Sequence, residues 1–382
     1  MLRILTAGES HGPGEVAIIE GMPAGLNIKI EDIEHDLKKR HSDFGRDGRG
    51  IIEKDTVEII SGVRHGKTLG SPIALLVRNE DFANCQQDMN VEDNGQPVPA
   101  VTGPRPGHAD LAGAIKYGTN DIRNISERAS ARETVMRVAA GAIVRRLLAE
   151  FNIRIASHTI QIGTVKMVRL DYDYDEVESI FEKDMETRCI DATISLRMKS
   201  LIKEARNKKN TLGGVVEVIA AGVPAGLGSM MHYDRRLDSI IAGALMSIPS
   251  VKAVEIGEGI KGASVFGSEF QDRIGYENGR FVYKSNNAGG IEGGMSNGEN
   301  IICRVYHKPI PTPGEPLQTV DIVTRKSMLA AAERSDVCAV PRAGVISEAM
   351  LAIVLGQTMT EKFGGDSITE MKQNYSLHFK EV

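Results

Sequence analysis

The 382-residue sequence has no tryptophan and only eight tyrosines and nine phenylalanines. So few rings weigh against modules that stack nucleobases. Basic charge is not in excess either. The formal net charge is -5, so neither nucleic acid nor an anionic membrane is expected as a main partner, and any anion site must be a local gathering of arginines. Cysteine is scarce. Cys85, Cys189, Cys303 and Cys338 form no C-x-x-C pair and have no zinc-ligand spacing with a histidine. Reduced thiols and no bound metal are expected. The N-terminal MLRILTAGESHG is too short an apolar run for a secretion signal, and no apolar stretch reads as long enough to span a membrane. A cytoplasmic protein is expected.

Several catalytic signatures are missing as well. There is no G-x-G-x-x-G after a strand, no H-E-x-x-H and no G-x-S-x-G, which sets aside a Rossmann site, a zincin and an α/β-hydrolase elbow. SGVRHGKT at 61–68 imitates a P-loop, but its first glycine is one residue too close to Gly-Lys-Thr for the phosphate nest.

Glycine is plentiful, with 40 residues, so much of the backbone is expected in tight turns or close to ligands. Strands are expected at 15–20, 56–61, 72–78, 153–166, 215–221 and 301–307. Helices are expected at 31–40, 109–117, 130–151, 174–186, 234–248 and 343–356. In 130–151, Ser130 and Glu133 have capping-box spacing. Val135, Val138, Ala139, Ala142, Ile143 and Leu147 form a stripe, and the small residues 139–142 predict close packing on another element. Residues 41–50 and 79–107 read as loops. GMPAGL at 21–26 recurs as GVPAGL at 222–227, and at that offset Gly12 matches Gly213 and Ile18 matches Ile219. We read one domain over 1–382 made of two related halves, roughly 1–200 and 201–360.

Five segments carry candidate chemistry. Ser10 and His11 sit between glycines in GESHG, giving a hydroxyl and a titratable imidazole on an approachable backbone, although such a turn also suits purely structural side chains. Arg40, Arg46 and Arg49 flank Gly45, Gly48 and Gly50, where forked guanidiniums could grip carboxylate or phosphate or could simply be solvated. His108 in RPGHAD precedes a helix, as a cap or as a fixed acid. Arg128, Arg132 and Arg137 crowd the positive end of the helix starting near Ser130, which predicts an anion among them. Arg334 and Asp336 lie in ERSDVCAVPRAG, where an Arg–Asp ion pair is the plain alternative.

In combination, GESHG through EGMP (8–23), the arginine loop (40–49), RPGHAD (105–110), SARET (130–134), GGIEGGMSNG (289–298), KPIPT (308–312) and ERSD…AVPRAG (333–344) resemble the chorismate synthase family, in that family's order. The resemblance covers essentially the whole chain. It implies an α+β fold, a duplicated, pseudo-symmetric β-α-β sandwich with a helical core between antiparallel sheets. It implies loss of phosphate and a ring hydrogen from 5-enolpyruvylshikimate 3-phosphate, dependent on reduced FMN with no net redox change. By motif, Arg40, Arg46, Arg49, Arg132 and Arg334 would bind substrate anions. His11, supported by Ser10, would donate to the leaving phosphate. His108 would stabilise reduced flavin, and Asp336 would take part in proton transfer at the flavin. Flavin contacts would come from Arg128, Ala129, Ser130, Pro249, Ser250, Gly293, Lys308, Pro309, Ile310, Pro311, Thr312 and Arg334. An external source of reduced flavin and a homotetramer are also implied. The chain departs from the family pattern with Phe44 in place of tyrosine, Asp43 among the arginines, and Pro249-Ser250 where Asn-Ala is common. A flavin-free phosphate-releasing lyase or transferase would use the same arginines, and a non-enzymatic anion-binding protein would release no phosphate.

Overall fold

The computed structural model describes residues 2–41, 44, 55–93, 95–184, 186–331 and 336–378. Alternating burial in β1 (Arg3–Gly8) and β2 (Gly14–Glu20) makes a two-faced antiparallel pair. α1 (Ile30–Arg40) buries Ile33 and Leu37 and carries acidic residues in its first turn and basic ones in its last, as the helix dipole favours. β3 (Val57–Ser61), the small hairpin β4–β5 (Val63–Arg64, Lys67–Thr68) and β6 (Ile73–Arg78) follow, and the sheet order is β1-β2-β6-β3. Two short helices, α2 (Asp110–Tyr117) and α3 (Arg123–Ala129), lead to α4 (Thr134–Ala149).

The pattern then repeats. β7 (Arg154–Ile162), a short edge strand β8 (Val165–Lys166), α5 (Ala192–Asn207), β9 (Gly214–Ala221), α6 (Leu237–Met246) and β10 (Val251–Ile256) come first. The hairpins β11–β12 (Ile274–Glu277, Arg280–Tyr283) and β13–β14 (Ile291–Glu292, Met295–Ser296) come next, then β15 (Ile301–His307). A last hairpin, β16–β17 (Gln318–Val320, Ser327–Leu329), precedes α7 (Val340–Phe363) and α8 (Ile368–His378). The second sheet runs β10-β15-β9-β7-β8, all antiparallel. Matching β7, β9, β15 and β10 to β1, β2, β6 and β3 accounts for every strand of the first sheet. α4 packs on the first sheet, α7 on the second, and the two helices pack on each other. The fold is α+β with the helices as its middle layer.

The repeated hexapeptides have the same hydrogen bonds. After β2, the Leu26 N–H donates to Thr68 Oγ1 at 3.0 Å, and that hydroxyl donates to the Pro23 carbonyl at 2.6 Å. After β9, the Leu227 N–H donates to Ser296 Oγ at 2.9 Å, which donates to the Pro224 carbonyl at 2.6 Å. Thr68 ends β5 and Ser296 ends β14, so each turn is stitched to its own hairpin. Gly21, Gly25, Gly222 and Gly226 all have φ between +76° and +86°, which explains the glycines. On this correspondence the units run 3–149 and 154–363. We therefore read the division near residue 150 and not near 200.

Other expectations change. The helix expected at 130–151 is broken: Ser130 caps a 3₁₀ turn at Ala131–Glu133 by accepting from the Arg132 N–H at 3.3 Å. No capping box forms, because the Glu133 carboxylate pairs with Arg137 at 2.8 Å. The charged segment at 174–186 holds two short helices, Tyr174–Glu178 and Ile180–Lys183. α5, α8 and the β11–β12 and β16–β17 hairpins were not anticipated. The last core helix runs 24 residues, starting at Val340 with Pro341 in its first turn, where proline is tolerated. It is long and apolar enough to cross a membrane, contrary to expectation, but its apolar window is 83% buried inside the fold.

The predicted close contact is α4 on α7. A Cβ on Gly141 would lie 2.5 Å from Ala349 Cβ, and one on Gly356 would lie 2.3 Å from Val144 Cγ1. Gly141→Ala is expected to cost about 1–3 kcal/mol by overpacking, measured as a lower urea midpoint. An unchanged midpoint would show that the two helices have room to part.

Candidate functional site

The N-terminal Gly-Glu-Ser-His-Gly turn links β1 to β2 and rests on the end of α3. The buried Ser10 donates its N–H to the Glu127 carbonyl at 3.1 Å, and Ser130 Oγ donates to Ser10 Oγ at 3.1 Å. The His11 N–H donates to Glu127 Oε2 at 2.8 Å. His11 Nδ1 stands 2.8 Å from Glu127 Oε1 and 2.9 Å from Oε2. Both side chains line a cavity of about 230 Å³ with Cys85, Arg105, Asp110 and Arg123. His11 is the more open of the two, 28% exposed against 11% for Glu127.

Beside this turn a buried charge cluster forms. Asp55, just before β3, accepts from Arg40 Nη1 at 3.2 Å and from Arg132 Nη1 at 2.5 Å, and it also contacts His41 Nε2. Burial opposes ionisation of Asp55. The His41 hydrogen bond and the two guanidiniums outweigh that and hold its carboxyl well below the usual range. Arg132 Nε also donates to Asn79 Oδ1 at 2.9 Å, and Asn79 Nδ2 donates to the carbonyls of Glu9 and Gly12 at 3.1 and 2.8 Å. Arg40 and Arg132 are thus brought to one place with Ser10 and His11. Arg46, Arg49 and Arg334 lie outside the described residues.

The arginine crowding at 128–137 has a different resolution from the one expected. Arg132 pairs with Asp55 and Arg137 with Glu133. Arg128 donates to the Thr6 and Gly8 carbonyls at 3.1 and 3.3 Å. The chain's own groups supply the counter-charges, so the crowding alone requires no bound anion. His108 is likewise tied internally. Its Nδ1 stands 2.5 Å from Asp110 Oδ1, while Arg105 Nε donates to Asp110 Oδ2 at 2.7 Å. Asp110 is fully buried, but hydrogen bonds from His108 and Arg105 more than offset that and depress its carboxyl.

The predicted flavin segments converge in part. Lys308 donates its N–H to the Ser250 carbonyl at 2.9 Å and its Nζ to the Gly107 carbonyl at 2.5 Å. Ser250 Oγ stands 3.0 Å from His307 Nδ1. Ser250 adopts φ +74°, and Pro249 precedes it in the turn entering β10. The Ile310 carbonyl accepts from Thr211, a Cβ on Gly107 would lie 3.4 Å from Pro311 Cβ, and Thr312 is buried. Arg137 connects this group to α4 by donating to Ser247 Oγ at 2.8 Å. Pro309 lies within this strap, and Ala129 ends α3 directly before Ser130. Gly293 lies apart, in the turn of the β13–β14 hairpin. Asp336 is ion-paired with Arg342 at 2.8 Å.

Sequence reasoning missed Asp55, Asn79, Asp110 and Glu127 as partners, and Glu15 altogether. It also missed that His11, Asp81 and Cys85 have donor atoms within 4.8 Å of one another, the only such trio found among the described residues. Their separation along the chain gives no spacing signal.

Fold and site together define an α+β enzyme in which a histidine lines a cavity beside a buried cluster that holds two arginines. A family profile for chorismate synthase matches residues 2–360. The chain is 49% identical over 384 residues to the chorismate synthase of Carboxydothermus hydrogenoformans, covering 100% of this chain and 99% of that protein. It is 50% identical over 392 residues to that of Aquifex aeolicus, covering 100% and 98%. A crystal structure of a chorismate synthase matches with TM-score 0.80 and 41% identity, covering 100% of this chain and 98% of that one. The chain belongs to the chorismate synthase family. It is a lyase of the last step of the shikimate pathway.

Glu15 yields a pH prediction. It is 1% exposed and neither carboxylate oxygen has a hydrogen-bond partner, with Arg128 Nη1 3.8 Å away. Burial pushes its carboxyl from 4.5 up to about 7, against the pull of Arg128 and Arg132. The folded chain therefore keeps a proton that the unfolded chain releases at lower pH. Stability falls as pH rises from 4.5 to about 7 and is level above. Glu15→Gln should gain up to about 3 kcal/mol at alkaline pH and almost nothing under acid conditions, read from urea midpoints. A larger gain in acid would reverse the sign argued here.

Proposed function

We propose that the residues gathered here convert 5-enolpyruvylshikimate 3-phosphate to chorismate by anti 1,4-elimination, using reduced FMN. The observation that carries the reading is the meeting of His11, Ser10 and Ser130 beside buried Arg40 and Arg132. Both arginine side chains are forked guanidiniums, the group that grips carboxylate or phosphate through two parallel hydrogen bonds. Arg46, Arg49 and Arg334, by their motifs, complete the anion grip. The bond from ring carbon to phosphate oxygen breaks. His11 donates a proton to the departing phosphate, with Ser10 beside it, and Asp336 would take part in the proton transfer at the flavin by which carbon 6 loses its hydrogen.

The residues present fit a flavin. His307 is buried, which lowers its imidazole to about 4. Its Nε2 has no hydrogen-bond partner, so it offers a neutral polar edge beside Ser250 and Lys308. Lys308 and Arg128 supply charge for a flavin phosphate, and His108, fixed by Asp110, follows Gly107, whose carbonyl accepts from Lys308. Bound reduced FMN supplies electron donation toward the breaking carbon–oxygen bond.

His11→Ala and His108→Ala, assayed anaerobically with supplied reduced FMN, should each lose turnover on the order of a hundredfold or more. Oxidised FMN with NADPH should not sustain turnover of the wild type, since an external source of reduced flavin is the reading. Near-wild-type rates in both variants would sink the acid–base roles. The outer face of the first sheet leaves Leu5, Ile18 and Ile60 exposed, which supports association of copies and, with the family reading, a cytoplasmic homotetramer. A light-scattering mass of four chains checks it, and a monomer mass would overturn it.

A further inference from the structure

We infer that Glu127 is the positioning residue for His11, fixing the tautomer and the direction in which its imidazole works. The inference rests on the reading of His11 as the proton donor. Glu127 holds the Ser10-His11 dipeptide at several points: its carbonyl takes the Ser10 N–H, one carboxylate oxygen takes the His11 N–H, and both oxygens lie within 2.9 Å of Nδ1. A carboxylate only accepts hydrogen bonds, so Nδ1 must be the nitrogen carrying the proton in this pair. When the ring is doubly protonated, the Nε2 proton is the one it can give to anything bound in the cavity that His11 and Glu127 line, and giving it leaves the neutral Nδ1–H ring that Glu127 holds. Glu127 stands in the last turn of α3, whose end is followed at once by Ser130, the partner of Ser10. One helix end therefore sets both members of the Ser-His pair.

The alternative is that Glu127 only tethers the turn. The two are separated by a readout that a tether does not move. The whole protein, labelled with ¹⁵N-histidine and with the His11 signals assigned by His11→Ala, reports which ring nitrogen bears the proton. The wild type should show Nδ1–H. Glu127→Gln, which keeps the shape, and Glu127→Ala should show a mixture or a shift to Nε2–H. In the anaerobic assay with reduced FMN, Glu127→Ala should lower kcat on the order of a hundredfold while KM stays within about threefold. An unchanged Nδ1–H signal in both variants would overturn the inference. So would wild-type kcat in Glu127→Ala when His11→Ala is impaired. If His11→Ala itself turned over normally, the donor role of His11 would fail, while the ¹⁵N spectra would still decide whether Glu127 sets its tautomer.

Discussion

Asp55 is the point on which the arrangement of the first half turns. Its carboxylate joins Arg40 at the end of α1, Arg132 in the turn before α4, and His41. His41 follows Arg40 directly, so Asp55 takes two consecutive side chains from the end of α1. From Arg132 the order passes to Asn79 and from Asn79 to the carbonyls of the Ser-His turn. Removing one partner from such a buried pair costs about 3–5 kcal/mol, far more than a surface pair contributes, because the charge left behind is desolvated.

A second buried charge cluster lies between the helices and the second sheet. Glu348 on α7 accepts from Arg188 and Arg145 at 2.7 Å and from Ser157 at 2.6 Å, and Asp36 on α1 stands 3.4 Å from Arg145. Burial disfavours the Glu348 charge, yet the neighbouring cations hold its carboxyl down at about 2. Lys39 on α1 adds a third cation facing Glu348 and Asp36, and the cluster ties α1, α4, α7 and β7 together.

What could be read from the sequence was what is local or periodic. Ile33 and Leu37 four residues apart, the stripe from Val135 to Leu147, and the small residues at 139–142 all describe one element at a time, and all are buried as that spacing requires. α5 had the same kind of signal, an Asp191 cap before Met198, Ile202 and Ala205, but its charged face masked it. The site was legible only as residue types in order. Asp55 with Arg132, or Glu127 with His11, are partners 77 and 116 residues apart, and nothing in spacing joins them. The same limit explains the arginine crowding at 128–137. Its counter-charges come from Asp55, Glu133 and the Thr6 and Gly8 carbonyls, so a local excess of charge looked like an empty anion site.

The two halves show how one scaffold takes on unequal work. At the offset of the repeated turns, Val16 of β2 corresponds to Glu217 of β9. Val16 pairs across the first sheet with Ala7 and Leu76, an apolar row. Glu217 pairs with His158 on β7 and Arg304 on β15, and Arg304 with Glu255 on β10, so the matching row is charged across four strands. That row is buried, with Tyr172 set edge-on against His158 and the segment from Tyr174 to Val177 packed over the neighbouring Ile219. The insertion between β8 and β9 thus gives the second sheet a cover. The first sheet has no equivalent insertion, and its outer face stays apolar and open. The connection between β6 and α4, matched in the second half by that between β15 and α7, bears Arg105, His108, Asp110 and Glu127. A duplication that kept the turns, hairpins and strand order could therefore place nearly all the chemistry in the links that differ.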